Sequence, residues 1–398
     1  MKALSGLRVI DATQMLAGPI AAMRLGDLGA DVIKVEAPGT GEFNRTHGYG
    51  GVDLRGHTTT FLALNRNKRS LAIDLKSDAG REVFYDLVRE ADVVLQNFRV
   101  GTVERLGIDY ETLRKINPRL VYASITGYGP DGPGAGRPGQ DLVMQGYSAS
   151  MWFVGSESDP PQPGGIPAID AMTGYQTAIG VLAAIVSRAS TGAGQHVEVD
   201  MLSVVLDAQI QELVTFLNTG LTPQRKAEPT AHAWIPAPYG VHQTSDGWMT
   251  LAMCPLDVLG TVIGNEFIAG LSYEDGVAHA DDVYRALRPA LRERTTAEWI
   301  EIFDRHNIWC GPVYRYGDLV VDPQVVHRGL ITQSEHPEAG AVRTVDVPIR
   351  LSETPTSIGT AAPLLGQHSE EILRDVLGMD PQRIQVLIDA KVIGVPTP

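Results

Sequence analysis

From its N-terminus the chain alternates between two hydrophobic periods. Short runs of strand-like composition occur at Leu7–Asp11, Asp31–Glu36, Ser70–Asp74, Asp92–Gln96 and Leu120–Thr126. Between them lie segments whose apolar residues recur at helical spacing, the clearest being Pro19–Leu28 and Ala79–Glu90. Pro19 suits a first helical turn, because its ring fixes φ and the N–H it lacks is one that a helix end leaves unpaired. Gly29 then supplies a C-cap. Strand-like runs that alternate with amphipathic helices predict parallel βαβ units, hence an α/β fold with a doubly wound sheet.

A loop rich in Gly and Pro, Gly127–Gly139, interrupts this rhythm. Beyond it the apolar run Tyr175–Ser187 predicts a long buried helix, followed by a strand at His196–Asp200 and a helix over Ser203–Asn218. Composition shifts near Gly220, and the polar, patternless stretch Thr222–Ala233 reads as a linker. A strand at Trp248–Met253 and helices at Val283–Glu293 and Thr296–His306 follow. A length of 398 residues exceeds one ordinary core. The predicted division is a large domain over residues 1–219, a small domain over 220–323, and a segment over 324–398 that returns to the large domain. That last segment ends in amphipathic helices at Glu370–Leu377 and Pro381–Ala390.

Composition narrows the function classes. The net charge of −14 disfavours nucleic acid and anionic membranes as partners, although a local basic pocket can still hold an anion. No uninterrupted apolar run reaches membrane-spanning length, and the N-terminus carries no signal-peptide pattern. Two cysteines, Cys254 and Cys310, give neither a disulfide framework nor metal-ligand spacing, which points to the cytoplasm. The ten histidines show no metal-binding pattern, so no metal is expected.

Several familiar chemistries are absent. Ala17-Gly18-Pro19 follows the first strand where a dinucleotide fingerprint would read G-x-G-x-x-G, although Glu36 stands where a ribose-binding acid would. There is no Gly-Lys-Ser/Thr phosphate loop and no G-x-S-x-G nucleophile elbow. Basic residues are more suggestive. Lys68 and Arg69 precede the third strand and Lys76 follows it; Asn97-Phe98-Arg99 ends the fourth, with Arg105 close behind. Ligands of open parallel sheets bind outside the carboxyl ends of the strands, where Lys76, Arg99 and Arg105 can converge on phosphates beside Phe98. The alternative is a solvated surface of local ion pairs.

Asp170 is the other candidate. It sits in Gly165-Ile-Pro-Ala-Ile-Asp170-Ala-Met-Thr-Gly174, where the long helix begins. One reading is an N-cap. The other is a carboxylate nucleophile kept ionised by the helix end and partly shielded from water.

Taken in order, these pieces resemble the class III CoA-transferase family, which also contains 2-methylacyl-CoA racemases. The resemblance spans nearly the whole chain. It rests on Leu4-Ser-Gly-Leu-Arg-Val-Ile-Asp11, Ala17-Gly-Pro19, Leu28-Gly-Ala-Asp-Val-Ile-Lys-Val-Glu36, Asn65-Arg-Asn-Lys-Arg-Ser70, Asn97-Phe-Arg99, Glu104-Arg-Leu-Gly107 and Asn117-Pro-Arg119. Further on, Asp170-Ala-Met-Thr-Gly174, Thr191-Gly-Ala-Gly-Gln195, Ala237-Pro-Tyr239, Cys310-Gly-Pro-Val313 and Pro363-Leu-Leu-Gly-Gln-His-Ser369 continue it. The resemblance implies a Rossmann-like large domain built from both chain ends, a small α+β domain, and a homodimer whose chains interlock. It implies coenzyme A, as acyl-CoA, for a substrate and a small carboxylic acid as its partner. Asp170 matches the catalytic aspartate, which passes through an anhydride and an aspartyl-CoA thioester. Backbone N–H groups near Met15, Leu16 and Ala17 match the loop that faces the reacting carboxyl groups. CoA contacts match Leu75, Lys76, Asn97, Phe98, Arg99 and Arg105.

The same resemblance carries departures. Ala37 replaces an arginine of the formyl-CoA transferases, Val100 replaces a common proline, and their tetraglycine loop has no counterpart, so formyl or oxalyl specificity is not implied. The racemases carry Gly-His-Asp where this chain has Gly139-Gln140-Asp141. Gln140 cannot exchange a proton near neutral pH but can donate a hydrogen bond, which favours transferase over racemase. A CoA-binding protein without catalysis is the third class; it would not need Asp170. Met15, Leu16, Phe43, Met151, Trp152 and Phe153 are candidates either for an acyl pocket or for ordinary core.

Overall fold

A computed structural model describes residues 1–396 of the chain. The residues gather into two compact units. The first comprises residues 1–144, 167–205 and 323–398; the second, 145–166 and 206–322. The structure thus moves two stretches, 145–166 and 206–219, out of the expected large domain. The predicted helix over Ser203–Asn218 is in fact two, Met201–Ala208 and Ile210–Thr219. Gln209 breaks it with a non-helical backbone, and its side chain donates to Ser148 O at 2.8 Å.

The first unit is built on a seven-stranded sheet. Its strands are β1 (Arg8–Ala12), β2 (Asp31–Glu36), β3 (Lys68–Ile73), β4 (Val93–Gln96), β5 (Val121–Thr126), β6 (His196–Asp200) and the C-terminal β7 (Ile393–Gly394). They lie in the order β7–β3–β2–β1–β4–β5–β6. The first six are mutually parallel; β7 pairs antiparallel with β3, Ile393 against Ile73. The expected all-parallel sheet therefore gains one antiparallel edge.

Alternate residues of each strand serve opposite faces, since successive side chains of a strand point to opposite sides. Ile10, Ile33, Leu71, Val94 and Tyr122 pack on one side against Val83, Phe84 and Leu87 of α2 (Asp78–Arg89). Ile384 and Leu387 from the C-terminal helix Pro381–Asp389 join that layer. On the other side Val9, Val32, Val93, Leu95, Val121 and Ala123 meet Ala21, Ala22 and Leu25 of α1 (Ala17–Asp27). Val181 and Ala184 of a longer helix complete this second layer. The inner strands are buried on both faces and read as near-continuous apolar runs, which is why the sequence located them. The longer helix spans Ala168–Thr191, seven residues earlier than its apolar run begins. By length and composition it could cross a membrane, although no single apolar run in the sequence has that length.

The second unit has a three-stranded antiparallel sheet, Gly240–Gln243, Trp248–Leu251 and Cys310–Pro312. Helices Ala280–Leu291 and Thr296–Arg305 cover it through Leu287, Leu291, Trp299 and Phe303.

Candidate active site

Chain order fixes where a ligand can enter the first unit. From β1 the chain winds outward through β2 to β3, then returns to β4 and winds the other way through β5 to β6. The reversal lies between β1 and β4, and the crevice at such a switch point is where open α/β sheets bind ligands. The loops leaving β1 and β4 are tied together there. Asn97 accepts from Gln14 N at 2.9 Å and donates to Gln14 O at 2.7 Å. The Asn97 side chain therefore clamps the loop after β1; it is not a free contact for a ligand.

The β1 loop, Thr13–Leu16, is held almost atom by atom. Lys34 Nζ donates to Thr13 O at 3.0 Å, Glu42 Oε2 accepts from Met15 N at 3.2 Å, and Asn44 Nδ2 donates to Met15 O at 2.5 Å. Met15 adopts a left-handed backbone, φ 67°, uncommon for a residue with a Cβ. Helix α1 then begins with Leu16 as N-cap and no side-chain cap. Among the described residues no acceptor meets the N–H of Leu16 or Ala17. The sequence grouped Met15, Leu16 and Ala17 as backbone donors. The structure removes Met15 from that set, because Glu42 takes its N–H.

Helix α3 (Ala168–Thr191), which carries Asp170, packs on the start of α1. A Cβ on Gly174 would lie 2.6 Å from Ala17 O, so only glycine lets α1 and α3 approach so closely. Gly174 is one turn beyond Asp170, on the same helical face. Asp170 is half-buried in the first turn of α3 and is not its N-cap, which is Pro167. The capping oxygen comes from elsewhere: Asp141 Oδ2 accepts from Ile169 N at 2.8 Å and Asp170 N at 3.1 Å. Asp141 is itself buried. It follows directly on the neck of the Gly127–Gly139 loop, where the two end glycines touch backbone to backbone and a Cβ on Gly127 would lie 2.6 Å from the Gly139 Cα.

Electrostatics at Asp170 run against the sequence expectation. Burial first, and the neighbouring Asp141 second, push its carboxyl up to about 6. The helix end does not offset these two effects, and Asp141 already takes the N–H groups of Ile169 and Asp170. At pH 7 such a group is still about nine-tenths ionised, and it is more basic than an ordinary aspartate. Tyr49, on the exposed turn Tyr49–Gly51, senses both acids. Burial and the charges of Asp170 and Asp141 raise its phenol above the usual range. Neither Tyr49 nor Asp141 was singled out from the sequence.

The other expected residues divide. Lys76, Arg99 and Arg105 are exposed, and Arg105 Nη2 donates to Thr102 Oγ1 at 2.9 Å. Leu75 and Phe98 are half-buried against the core. Lys76 follows β3 while Arg99 and Arg105 follow β4, three strand spacings away, so the basic groups span about 14 Å of sheet edge. Gln140 is exposed beside Asp141. Lys68 and Arg69 are not available to phosphates. Lys68 is buried with Nζ on Asp11, Asn65 and Pro19 O, and Arg69 pairs with Asp31 and Glu371. Glu36 is likewise occupied, by Arg45 and Ser70, and is no ribose ligand.

A cavity of about 490 Å3 opens at the ends of β4, β5 and β6. It includes Phe98 and Arg99 but not Asp170, Gln140, Lys76 or Arg105. Of the acyl-pocket candidates in this unit, Met15 and Phe43 are exposed and Leu16 is half-buried. In the second unit Trp152 lies under the Arg225 guanidinium at 5.0 Å, and Phe153 stacks on His232 at 5.5 Å.

Comparison with known proteins decides the family. The profile of CoA-transferase family III matches residues 4–369. The chain belongs to CoA-transferase family III. It is similar to the human succinyl-CoA:glutarate CoA-transferase, with 33% identity over 99% of this chain and 90% of that protein. It is also similar to a formyl-CoA:oxalate CoA-transferase of Streptomyces avermitilis, with 32% identity over 97% of this chain and 98% of the other. A crystal structure of a CAIB/BAIF family protein from Brucella suis superposes with a TM-score of 0.83. That pair shares 32% identity, and the match covers 94% of this chain and 99% of the other. As a class III CoA-transferase, the protein moves CoA between an acyl-CoA and a carboxylic acid.

Proposed function

We propose that Asp170 is the nucleophile of this transfer. The observation that carries the reading is its setting: a half-buried carboxylate raised to about 6, one helical turn before the glycine that packs on Ala17 at the uncapped start of α1. Its oxygen attacks the donor thioester carbonyl, the C–S bond breaks, and a mixed anhydride and CoA thiolate result. The thiolate attacks the aspartyl carbonyl, and the donor acid leaves with one former Asp170 oxygen. The acceptor carboxylate then attacks the aspartyl-CoA thioester, and CoA returns to the acceptor carbonyl. Asp170 is left with one oxygen from the acceptor, and no external energy source is consumed. The N–H groups of Leu16 and Ala17 stabilise the oxyanion of each tetrahedral step, and Gln140 donates a further hydrogen bond.

Lys76, Arg99 and Arg105 take the phosphates of CoA, with Leu75 and Phe98 as apolar flanks and Asn97 holding the loop beneath. The names of the human and Streptomyces relatives, succinyl, glutarate and oxalate, support a dicarboxylate among the substrates. Two chains form the interlocked homodimer. This is supported by the outer face of α3, where Tyr175, Ile179 and Val186 stay exposed in one chain. Cys254 and Cys310 are free thiols, which suits a cytoplasmic protein.

The test is a screen of paired acyl-CoA donors and free acids, read by mass spectrometry, on wild type and Asp170→Ala. The variant should lose transfer by at least about 10³ while staying folded and dimeric. Substantial turnover by the alanine variant removes Asp170 from the role.

A further inference from the structure

Behind the β1 loop lies a group of buried charges for which neither CoA contact nor nucleophilic attack gives a use. Lys34 and Lys68 are buried, as are Asp11, Glu36 and Glu42, with the Arg45 side chain at their edge. Most of these groups are satisfied within the cluster. Lys68 bonds Asp11 at 2.8 Å, and Glu36 is gripped by both arms of Arg45 at 2.6 and 2.7 Å. Glu42 differs. Among the described residues one oxygen accepts only the Met15 N–H, and the other is buried with no hydrogen-bond partner. Lys34 stands 3.9 Å away, too far for a hydrogen bond. Burial, with Glu36 and Asp11 adding to it, raises the Glu42 carboxyl above its usual range despite the two lysines. An acid in this setting costs stability; a neutral side chain of the same size would cost less.

We propose that Glu42 is a positioning residue for the transfer reaction: by holding the Met15 N–H it fixes the left-handed turn that aims the Leu16 and Ala17 N–H groups at the carbonyl joined to Asp170. The proposal rests on the assignment of Asp170 above. Its geometric basis is short. Met15 at φ 67° is a strained conformation for a side-chain-bearing residue, and such strain persists only where neighbours over-determine it. Glu42 Oε2 holds its N–H and Asn44 holds its carbonyl, from either end of one short stretch. The next two residues are the open end of α1. Glu42 is in turn fixed from behind, its own N–H donating to Glu36 Oε2 at 3.1 Å. Rotation of the Met15 peptide would therefore turn the donors that follow it.

The test compares Glu42→Ala, Glu42→Gln and Glu42→Asp with wild type in steady-state transfer, with CoA affinity and melting temperature measured in parallel. Displacing oxyanion donors by about 1 Å costs on the order of 10²-fold. Glu42→Ala should lose about that much in kcat, with the KM for acyl-CoA and the CoA affinity within about threefold of wild type. Glu42→Gln keeps an oxygen that can accept from Met15 N and should recover to within about fivefold. Glu42→Asp withdraws the acceptor by one methylene and should fall between the two; it and Glu42→Gln carry the test if the alanine variant does not fold. A variant that melts earlier yet keeps wild-type kcat reduces Glu42 to a packing role and overturns the proposal. Equal loss in the Ala and Gln variants would also overturn it, because charge and not acceptor geometry would then matter. Retained activity in Asp170→Ala would instead sink the nucleophile assignment, so the two failures are distinct.

Discussion

The N-termini of α1 and α3 meet where Gly174 packs on Ala17, and they dispose of their free backbone donors in opposite ways. At α3 the donors are taken: Asp141 reaches in from another part of the chain and accepts from Ile169 and Asp170. At α1 no side chain caps the helix, and among the described residues nothing accepts from the Leu16 and Ala17 N–H groups. A helix end with its donors occupied gives little extra stabilisation to a carboxylate, so the one on α3 stays basic and reactive. A helix end with open donors favours negative charge, so the one on α1 suits a developing oxyanion. On the proposed assignment, nucleophile and oxyanion site are the same backbone feature, differing in one capping side chain.

Altering the cap on α3 is the strongest way to disturb this contrast. Asp141→Ala uncaps α3 and removes the neighbouring charge. It should cost about 1–2 kcal/mol of stability and about tenfold or more in kcat, as Asp170 loses its anchor and becomes a weaker base. Asp141→Asn retains an acceptor oxygen and isolates the charge. In that variant the acid limb of the kcat/KM profile should move to lower pH, since burial remains but the one charged group that raises Asp170 is gone. A limb that stays put, or moves up, would mean that Asp141 does not set the reactivity of Asp170.

A smaller effect is expected at the CoA end, where the contrast is between exposed and buried lysines. Lys76→Ala and Arg105→Ala should each raise the KM for acyl-CoA about three- to tenfold, less at high salt, and leave kcat nearly unchanged. Lys68→Ala belongs to the buried class and should instead lower the melting temperature. Loss of CoA affinity in the Lys68 variant but not in the other two would reverse the assignment.

The smallest effect is on stability. Asp170 is raised from 3.8 to about 6 in the folded chain, so the native state holds its proton more tightly than the unfolded state does. Its ionisation therefore opposes folding progressively as pH rises from about 4 to 6, and the penalty is constant above that. Asp170→Asn removes the penalty. It should stabilise the protein by about 1–2 kcal/mol at pH 7.5, after allowance for solvent screening, and by almost nothing at about pH 3. Calorimetric scans at the two pH values check both halves of this statement.

The inner strands of the sheet were legible in the sequence because they are buried on both faces, and the edge strand His196–Asp200 because its β-branched residues alternate with polar ones. Asp31–Glu36 and His196–Asp200 match their predicted bounds. Local pattern failed where a distant residue decides the outcome. Asp141 caps a helix that begins 27 residues later, so Asp170 itself looked like the cap. Lys68 read as a surface cation because its partner, Asp11, is 57 positions away. The partner of the Asn97 amide, Gln14, is 83 positions away and equally out of reach of local pattern. The break at Gln209 and the transfer of residues 145–166 to the second unit follow from contacts between segments about 60 residues apart.

One measurement reaches the central claim directly. The enzyme is incubated with an acyl-CoA donor and an acceptor acid whose carboxylate carries heavy oxygen, then digested, and the peptide containing Asp170 is weighed. If Asp170 forms the anhydride, each turnover leaves one acceptor oxygen in its carboxylate, and that peptide gains mass only when donor and acceptor are both present. An unlabelled Asp170 peptide after many turnovers would contradict the account, because CoA would then have passed between the acids without a covalent bond to Asp170.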